Sequence, residues 1–462
     1  GYRLESVVGP TLCYDDGTLD NCSFGGRLDL SGGTLVVLGA GPSLANLGSF
    51  GLVHVVERVG DAWETVQIIR PIPNTQPTTS FFGTALSIDG DTLAIGAPGF
   101  RVASTGQVGA VFLYDRGPSG WHLSEMLQAP PPTAVGERRF GEHLDLAGDL
   151  LVVGEPSGGG RAHAFERRGG AWSLVQTFER PGGGDAFTAF GSPVAIDRDT
   201  QSIVIAEHYS TNALLIQGVI WIHERDPASG VWSLAATFGP TETSGSSLIN
   251  TNFGASVDIE GETVLVGSPG QRVQGVRMGA IEVIRRGPQG WSKVGRLAPP
   301  LPHAATPTLG FACALVDGRA VIGDRFWAPN STTWRGRAYL WEFSRGAEIC
   351  AGSNGAVTLN LLFDAGSDVD LTASVFGLQG RGIGYFVAGQ PSAGSPFGAG
   401  ELCVGAPRRI SAPQLYGYGQ SVIYAQLQHP NPSAPTSTAF QFVYSRRDGV
   451  FPAGASIARV VD

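Results

Sequence analysis

Apolar and polar residues alternate along this chain in a pattern that recurs several times. The clearest copy runs from Phe82 to Pro98: it begins with Phe-Gly, alternates to a polar turn, and alternates again to Gly-x-Pro. The other copies begin at Phe24, Phe140, Phe190, Phe253 and, in weaker form, Gly310. Alternation with a period of two is typical of β-strands that bury one face. Each copy therefore predicts a pair of strands joined by a tight turn.

A second pattern follows each copy, consisting of another alternating run, a charged residue, a short turn and an aromatic residue. Examples are Gly109–Trp121, Gly218–Trp232 and Gly279–Trp291, each followed by a further short strand that ends near proline. Four such strands predict an antiparallel sheet. Six sheets arranged radially make an all-β propeller. The pattern predicts six blades, and a count of seven stays open.

The two ends of the repeat region predict how the ring closes. The sixth copy supplies three strands, the last at Arg337–Phe343, and lacks a fourth. The segment Tyr2–Pro10 has the aromatic, leucine and proline spacing of the missing strand. We therefore expect this N-terminal strand to complete the last blade, so that residues 1–344 form one closed domain without exposed edges.

The Phe-Gly start and Gly-Ala-Pro end of Phe82–Pro98 resemble the FG-GAP repeat family, which includes the integrin α-subunit propellers. The short central turn is similar to that of the bacterial members. The resemblance implies a propeller, but propellers serve adhesion, glycan binding, scaffolding and catalysis alike. Calcium-binding members carry a longer acidic loop of oxygen ligands. Here Asp89, Gly90 and Asp91 predict a two-residue hairpin turn instead, so we expect no metal and no cofactor.

Residues 345–462 follow a different pattern. Seven short alternating segments with turn-rich connections predict an antiparallel β-sandwich. The segments LTASVFGLQGRGIGYFVAG, GAGELCVGAPRRI and FQFVYSRRDGV resemble a C-terminal domain of secreted proteins from planctomycetes and related bacteria. That resemblance implies an extracellular setting and no particular activity.

Composition narrows the functional classes. With 67 glycines and 30 prolines the chain is heavily punctuated, yet 42% hydrophobic residues are enough for a packed core. The net charge of −9 disfavours nucleic acid as a partner. The one lysine, Lys293, is followed by Val294, which excludes a nucleotide P-loop. No apolar run is long enough for a transmembrane helix, and the start at Gly1 suggests a processed chain whose targeting segment is gone.

The five cysteines suggest an oxidising destination. Cys13 and Cys22 bracket a polar loop, and Cys350 and Cys403 lie in the C-terminal region, so we expect two disulfides with Cys313 left over. Metal binding is the competing interpretation, but the sequence has no CxxC pair and no Cys/His cluster at zinc spacing.

Catalytic motifs are absent from the sequence: it has no GxSxG, HExxH or GxGxxG followed by a helix. We interpret His143 and His163 as packed or surface residues, and most acidic residues as solvated turn residues. Four tryptophans recur at one blade position, where they either stack on sugars or anchor the outer strand, and repetition favours the anchor. These are Trp121, Trp172, Trp232 and Trp291.

The loops after Gly-x-Pro are the preferred binding candidates, because loops at one end of a propeller converge. Four residues in them are the predicted ligand-binding residues: Arg101, Tyr209, Arg272 and Arg277. Asn21 and Asn330 begin N-x-S/T triplets that matter only if the producing cell glycosylates them.

Three functions fit the sequence. The first is a non-enzymatic, secreted or cell-surface structural and adhesive protein, whose partners are proteins, including copies of itself in an oligomer or filament. The second is a glycan-binding, lectin-like propeller. The third is a glycosidase or lyase, which requires two carboxylates in a cleft, at least one of them with a raised pKa.

Overall fold

The structure is a computed structural model, and it describes residues 24–40, 51–60, 62–71, 80–102, 106–130, 138–183, 189–208, 218–240, 251–273, 276–297, 308–324 and 337–343. Between residues 348 and 461 it describes strands only, by their backbone pairing. All named elements in these residues are β-strands. The chain divides into two compact units, residues 3–262 and residues 263–462 together with residues 1–2.

Six successive antiparallel sheets form a six-bladed propeller, which confirms the predicted all-β fold and the blade count of six. The first blade contains β1 (Phe24–Ser31), β2 (Thr34–Ala40), β3 (Gly51–Val59) and β4 (Ala62–Ile69). The second contains β5 (Leu86–Asp89), β6 (Thr92–Ala97), a small hairpin of β7 (Arg101–Val102) and β8 (Gly106–Gln107), then β9 (Ala110–Gly117) and β10 (Gly120–Gln128). The third contains β11 (Leu144–Ala147), β12 (Leu150–Glu155), β13 (Arg161–Arg168) and β14 (Ala171–Glu179).

The remaining blades repeat this order. The fourth contains β15 (Val194–Ile196), β16 (Ile203–Glu207), β17 (Val219–Arg225) and β18 (Trp232–Phe238). The fifth contains β19 (Val257–Glu260), β20 (Thr263–Ser268), a small hairpin of β21 (Arg272–Val273) and β22 (Val276–Arg277), then β23 (Ala280–Gly287) and β24 (Gly290–Leu297). The sixth contains β25 (Leu309–Val316), β26 (Arg319–Asp324) and β27 (Arg337–Phe343).

Apolar cores lie between neighbouring blades. Val55 of the first blade packs with Phe112 and Trp121 of the second, and comparable clusters join the second blade to the third and the third to the fourth. In the second unit, one cluster joins the fifth blade to the sixth. Fully burying a side chain of this size contributes about 1.5–3 kcal/mol. The alternating strands therefore bury both faces of a blade, one against each neighbour.

The Phe-Gly pair has a clear structural role. In four blades the phenylalanine ring contacts an aromatic ring on the third strand of the same blade. The centroid distances are 5.2 Å for Phe24–His54, 5.6 Å for Phe82–Phe112, 5.7 Å for Phe140–His163 and 5.0 Å for Phe190–Trp221. The following glycine has a left-handed backbone, as at Gly141 with φ 86°, which side chains rarely adopt. Phenylalanine fills the core and glycine makes the bend.

The short inner turns are hairpins, as predicted. Asp89 pairs with Thr92 across Gly90, whose φ is 57°. Gly83 N donates to Gly96 O at 2.9 Å, and Gly99 N donates to Ser80 O at 3.0 Å. The Phe-Gly and Gly-x-Pro segments thus lie at one end of the blades, called here the Phe-Gly end, and the hairpins lie at the other, the turn end.

The C-terminal strands form two antiparallel sheets. β29 (Thr358–Asp364), β30 (Asp370–Phe376) and β34 (Val422–Gln428) continue the sheet of the sixth blade, since Trp341, Glu342 and Phe343 of β27 pair with β29. The second sheet contains β28 (Glu348–Cys350), β31 (Gly382–Phe397), β32 (Gly400–Arg409), β33 (Gln414–Tyr416), β35 (Thr438–Arg446), β36 (Gly454–Ala455) and β37 (Ala458–Val461). The predicted closing strand at residues 2–10 lies outside the described residues. The domain boundary at 344/345 and the sandwich stay predictions.

Candidate functional site

Polar side chains on the first strands of the blades join each blade to the next. The first strands of the first four blades lie side by side, and each carries a polar residue or a small one five residues after the Phe of Phe-Gly. Three bonds run from backbone N–H groups to these side chains: Ile88 N to Asp29 Oδ2 at 2.7 Å, Leu146 N to Ser87 Oγ at 3.1 Å and Ile196 N to Asp145 Oδ2 at 2.8 Å. We call Asp29, Ser87 and Asp145 the inner belt.

A second level of bonds lies at the turn end, two residues further along each first strand. The donors and acceptors are Gly90 N to Ser31 Oγ at 3.0 Å, Gly148 N to Asp89 Oδ2 at 2.6 Å and Gly261 N to Asp197 Oδ1 at 2.8 Å. Asp89 also pairs with Arg198. These turn residues therefore satisfy backbone donors of the next blade, a role beyond solvation.

The inner belt has unusual electrostatics. The pKa of Asp145 is raised to about 8. Burial is the main cause and the nearby Asp258 and Asp29 carboxylates add to it, whereas hydrogen bonds from Ile196 N and Ser87 act in the opposite direction. Burial also raises the pKa of Asp29. Both carboxyl groups of the belt therefore have raised pKa values, a property that often marks functional sites.

A serine and two histidines meet at the Phe-Gly end. Ser192 Oγ lies 2.9 Å from His143 Nε2 and 3.5 Å from His208 Nδ1, and the latter atom lies 2.9 Å from Ser192 O. Burial, then Arg27, His208 and Arg139, lower the pKa of His143 to about 3. Ser192 is buried. A general base works best with a pKa near the working pH, and a nucleophile must be reached by its substrate. This pair meets neither condition.

A buried ionic network lies nearby in the third blade. Glu155 is fully buried and accepts from Arg138 Nη2 at 2.7 Å, while His163 Nε2 lies 2.9 Å from Glu155 Oε2. His163 Nδ1 lies 3.0 Å from Thr177 Oγ1. Every charge in the network has a partner, which confirms the interpretation of His163 as a packed residue.

The recurring tryptophans anchor the outer strands, as the sequence favours. Trp121, Trp172 and Trp232 are buried and Trp291 is half-buried, so a ring of exposed sugar-stacking tryptophans is wrong for these blades. A Gln or Glu on the outer strand of the preceding blade bonds the tryptophan backbone. Gln67 accepts from Trp121 N at 2.8 Å and donates to Trp121 O at 2.7 Å. Gln176 does the same for Trp232, and Glu125 accepts from Trp172 N at 3.1 Å.

Three of the four predicted ligand-binding residues are described, and all three are exposed. Arg101 lies in β7 opposite Gln107, and Arg272 in β21 lies directly opposite Arg277 in β22. The two small hairpins occupy equivalent positions after Gly-x-Pro in the second and fifth blades. Tyr209 lies outside the described residues. The structure thus brings Arg272 and Arg277 together, which the sequence did not foresee.

The remaining sequence predictions meet the structure only in part. Cys313 is a thiol in β25. Cys13, Cys22, Asn21 and Asn330 lie outside the described residues. Cys350 lies in β28 and Cys403 in β32, strands with Cα atoms within 8 Å of each other, and their disulfide stays a prediction. The described part of the chain contains no helix able to span a membrane and no group of three or more ligating side chains arranged for a metal ion.

No family model and no curated protein matches the sequence. Among solved structures, the periplasmic gluconolactonase PpgL of Pseudomonas aeruginosa is 14% identical, with a TM-score of 0.40 over 83% of this chain and 98% of that one. The β-propeller domain of the trilobed protease from Pyrococcus furiosus is 11% identical, with a TM-score of 0.40 over 75% and 91%. A hypothetical selenium-binding protein from Sulfolobus tokodaii is 10% identical, with a TM-score of 0.42 over 67% and 72%. Likenesses this distant carry no functional argument, so the propeller assignment rests on the sheets and the FG-GAP relation stays a resemblance of motifs.

Proposed function

We propose that this chain is a non-enzymatic structural and adhesive protein of the cell surface or extracellular space. It acts through protein contacts at the Phe-Gly end, including contacts between copies of itself. The observation that supports this most is the division of polar groups. Groups that resemble catalytic ones are hydrogen-bonded within and between blades, and the side chains of Arg101, Arg272 and Arg277 in the small hairpins are exposed.

The internal polar groups support the non-enzymatic part of the proposal. Asp145 accepts from Leu146 N and Ile196 N, at 3.0 and 2.8 Å, so both of its oxygens are occupied. Asp29 likewise accepts from Leu30 N and Ile88 N. Transfer of a proton at either carboxyl group would disturb hydrogen bonds that join neighbouring blades.

Composition supports the extracellular part. One lysine, five cysteines and many short strands suit a rigid chain that lasts outside the cell. A lectin-like function is less favoured, since three of the four recurring tryptophans are buried and the fourth is half-buried.

A second candidate is a glycosidase or lyase, and one observation favours it. Asp145 has a pKa of about 8, and Asp29 has a raised one, as expected of a proton donor near a second carboxyl group. Cleavage of a panel of polysaccharides, by hydrolysis or by elimination, that is lost in the Asp145→Asn variant would establish this function in place of the first.

Light scattering on the native-source protein tests the proposal. We expect a weight-average mass that rises with concentration, together with adhesion of protein-coated beads to the producing cells. A stable monomer at high concentration whose beads do not adhere would overturn it.

A further inference from the structure

The small hairpin of the fifth blade presents two arginines side by side. Arg272 and Arg277 are cross-strand partners, and both side chains are exposed. Residues directly opposite each other project from the same face, with Cβ atoms about 4.5–5.5 Å apart. The two arginine side chains therefore extend from neighbouring positions on one face of this hairpin.

The root of the hairpin is firmly anchored. Gln271 is fully buried, and its backbone oxygen accepts from Met278 N and Gly279 N, both at 3.0 Å. Its own N–H donates to Ser268 O at 3.0 Å, and its side-chain Nε2 donates to Arg272 O at 3.2 Å. Met278 is also fully buried. Such a root limits the ordering entropy that the two arginines would lose on binding a ligand.

The second blade has an equivalent small hairpin, but the residues at its cross-strand pair differ. Phe100 is buried at the equivalent root, where Phe100 N donates to Ala97 O and Gly109 N donates to Phe100 O, both at 3.0 Å. Arg101 matches Arg272, but the residue opposite it is Gln107 in place of a second arginine. The chain thus contains its own matched control, with one positive charge where the fifth blade has two.

We infer that Arg272 and Arg277 together bind a tetrahedral oxyanion, a sulfate or phosphate ester carried by an extracellular polymer. The inference rests on the proposed function, which makes the Phe-Gly end a contact surface. Each guanidinium is a planar fork of N–H donors that can hold two oxygens of an anion. Two forks can hold two edges of a tetrahedral group, whereas a planar carboxylate offers one edge.

The charges on the hairpin and on the whole chain agree with this ligand. An anion bound between the two exposed side chains would contact two positive charges at once. The chain as a whole carries −9, so a polyanion gains little from long-range attraction. Binding must therefore depend on this local pair, and added salt should weaken it because salt screens the two charges.

Calorimetric titration of the full chain with dextran sulfate, dextran phosphate and polygalacturonate tests the inference. We expect one of the two ester polymers to bind, to compete with inorganic sulfate or phosphate, and to exceed polygalacturonate in affinity. Arg277→Gln, which recreates the display of the second blade, should weaken binding roughly tenfold. Arg101→Gln should change it little, and Gln107→Arg should create a second site of similar affinity.

Three results would overturn the inference: no binding of either ester polymer, equal losses in Arg277→Gln and Arg101→Gln, or binding of polygalacturonate as tight as that of the ester polymers. Thermal unfolding of the Arg277→Gln and Arg101→Gln variants should match that of the wild type, since both side chains are exposed. If the ester polymers fail to bind while self-association persists, the inference fails and the proposed function stands.

Discussion

The two ends of the blades use their polar residues in opposite ways. At the turn end, equivalent positions of successive blades bond their neighbours, as when Ser31, Asp89 and Asp197 accept from glycine N–H groups of the next blade. At the Phe-Gly end the polar residues differ from blade to blade, with a buried Arg138–Glu155 pair in the third and exposed arginines in the second and fifth. Positions that repeat bond neighbouring blades to each other, and positions that vary are those we propose for binding.

Ion pairs also join neighbouring blades at the outer part of the turn end. An acid–arginine dipeptide closes the third strand of several blades, and each arginine pairs with the acid of the preceding blade. The contacts are Arg116–Glu57 at 2.8 Å, Arg167–Asp115 at 3.0 Å and Arg225–Glu166 at 3.1 Å.

The largest effect should come from breaking the buried pair at the Phe-Gly end. Arg138→Ala leaves Glu155 buried without its main partner, and we expect a loss of about 3–5 kcal/mol in the free energy of unfolding. Arg139→Ala is the matched control, because Arg139 pairs with Glu142 at a half-exposed site, and it should cost less than about 1 kcal/mol. Urea denaturation measures both, and equal losses would contradict the account.

The next largest effect concerns the hydrogen bonds from Gln176 to the Trp232 backbone, which join the third blade to the fourth. Gln176→Ala removes both bonds to the Trp232 backbone, and we expect a loss of about 1–3 kcal/mol. Val175→Ala, at an exposed position on the same strand, should change the free energy of unfolding by less than about 1 kcal/mol. An unchanged free energy of unfolding in Gln176→Ala would show that these hydrogen bonds contribute nothing to stability.

Asp145 should make stability depend on pH in a specific direction. Its folded pKa of about 8 exceeds the ordinary value of 3.8, so protonation favours the folded state. Its contribution is complete below about pH 4 and is lost as the pH rises toward 8. Asp145→Asn cannot ionise, so the stability of the wild type relative to this variant should fall by at least about 1.4 kcal/mol across that window. A difference that stays constant from pH 4 to 8 would contradict the assigned burial.

The smallest effect should come from the exposed salt bridges. Arg167 makes two parallel bonds to Asp115, both at 3.0 Å, yet both side chains remain partly exposed. Arg167→Gln should therefore cost about 0.2–1 kcal/mol at low salt, and the difference should shrink in high salt. A loss as large as that of Arg138→Ala would remove the contrast between the two ends.

Much of the fold could be predicted from the sequence, because alternation and turn residues are local signals. The blades, the Asp89 hairpin and the buried tryptophans all follow from runs of a few residues. The bonds between blades could not be predicted because they join residues far apart in the chain, such as Gln67 and Trp121, which are 54 positions apart. A signal was nevertheless present: a Gln or Glu stands four residues after a tryptophan at Gln67, Glu125 and Gln176.

The candidate binding surface was only partly predictable. The sequence predicts Arg272 and Arg277 as ligand-binding residues because they follow Gly-x-Pro. That they are cross-strand partners depends on the register of a two-residue ladder. Loop sequence does not specify that register, which is set by the buried root at Gln271 and Met278. Tyr209 was chosen on the same grounds and lies outside the described residues.

One measurement tests most directly whether the Phe-Gly end mediates self-association and the turn end does not. Light scattering compares the wild type with two triple variants. The variant of the Phe-Gly end carries Arg101→Gln, Arg272→Gln and Arg277→Gln. The variant of the turn end carries Asp91→Asn, Asp149→Asn and Asp199→Asn. Each variant neutralises three exposed charges at one end. We predict that self-association is lost only in the Phe-Gly variant, whereas loss in the turn-end variant alone, or equal loss in both, would contradict the account.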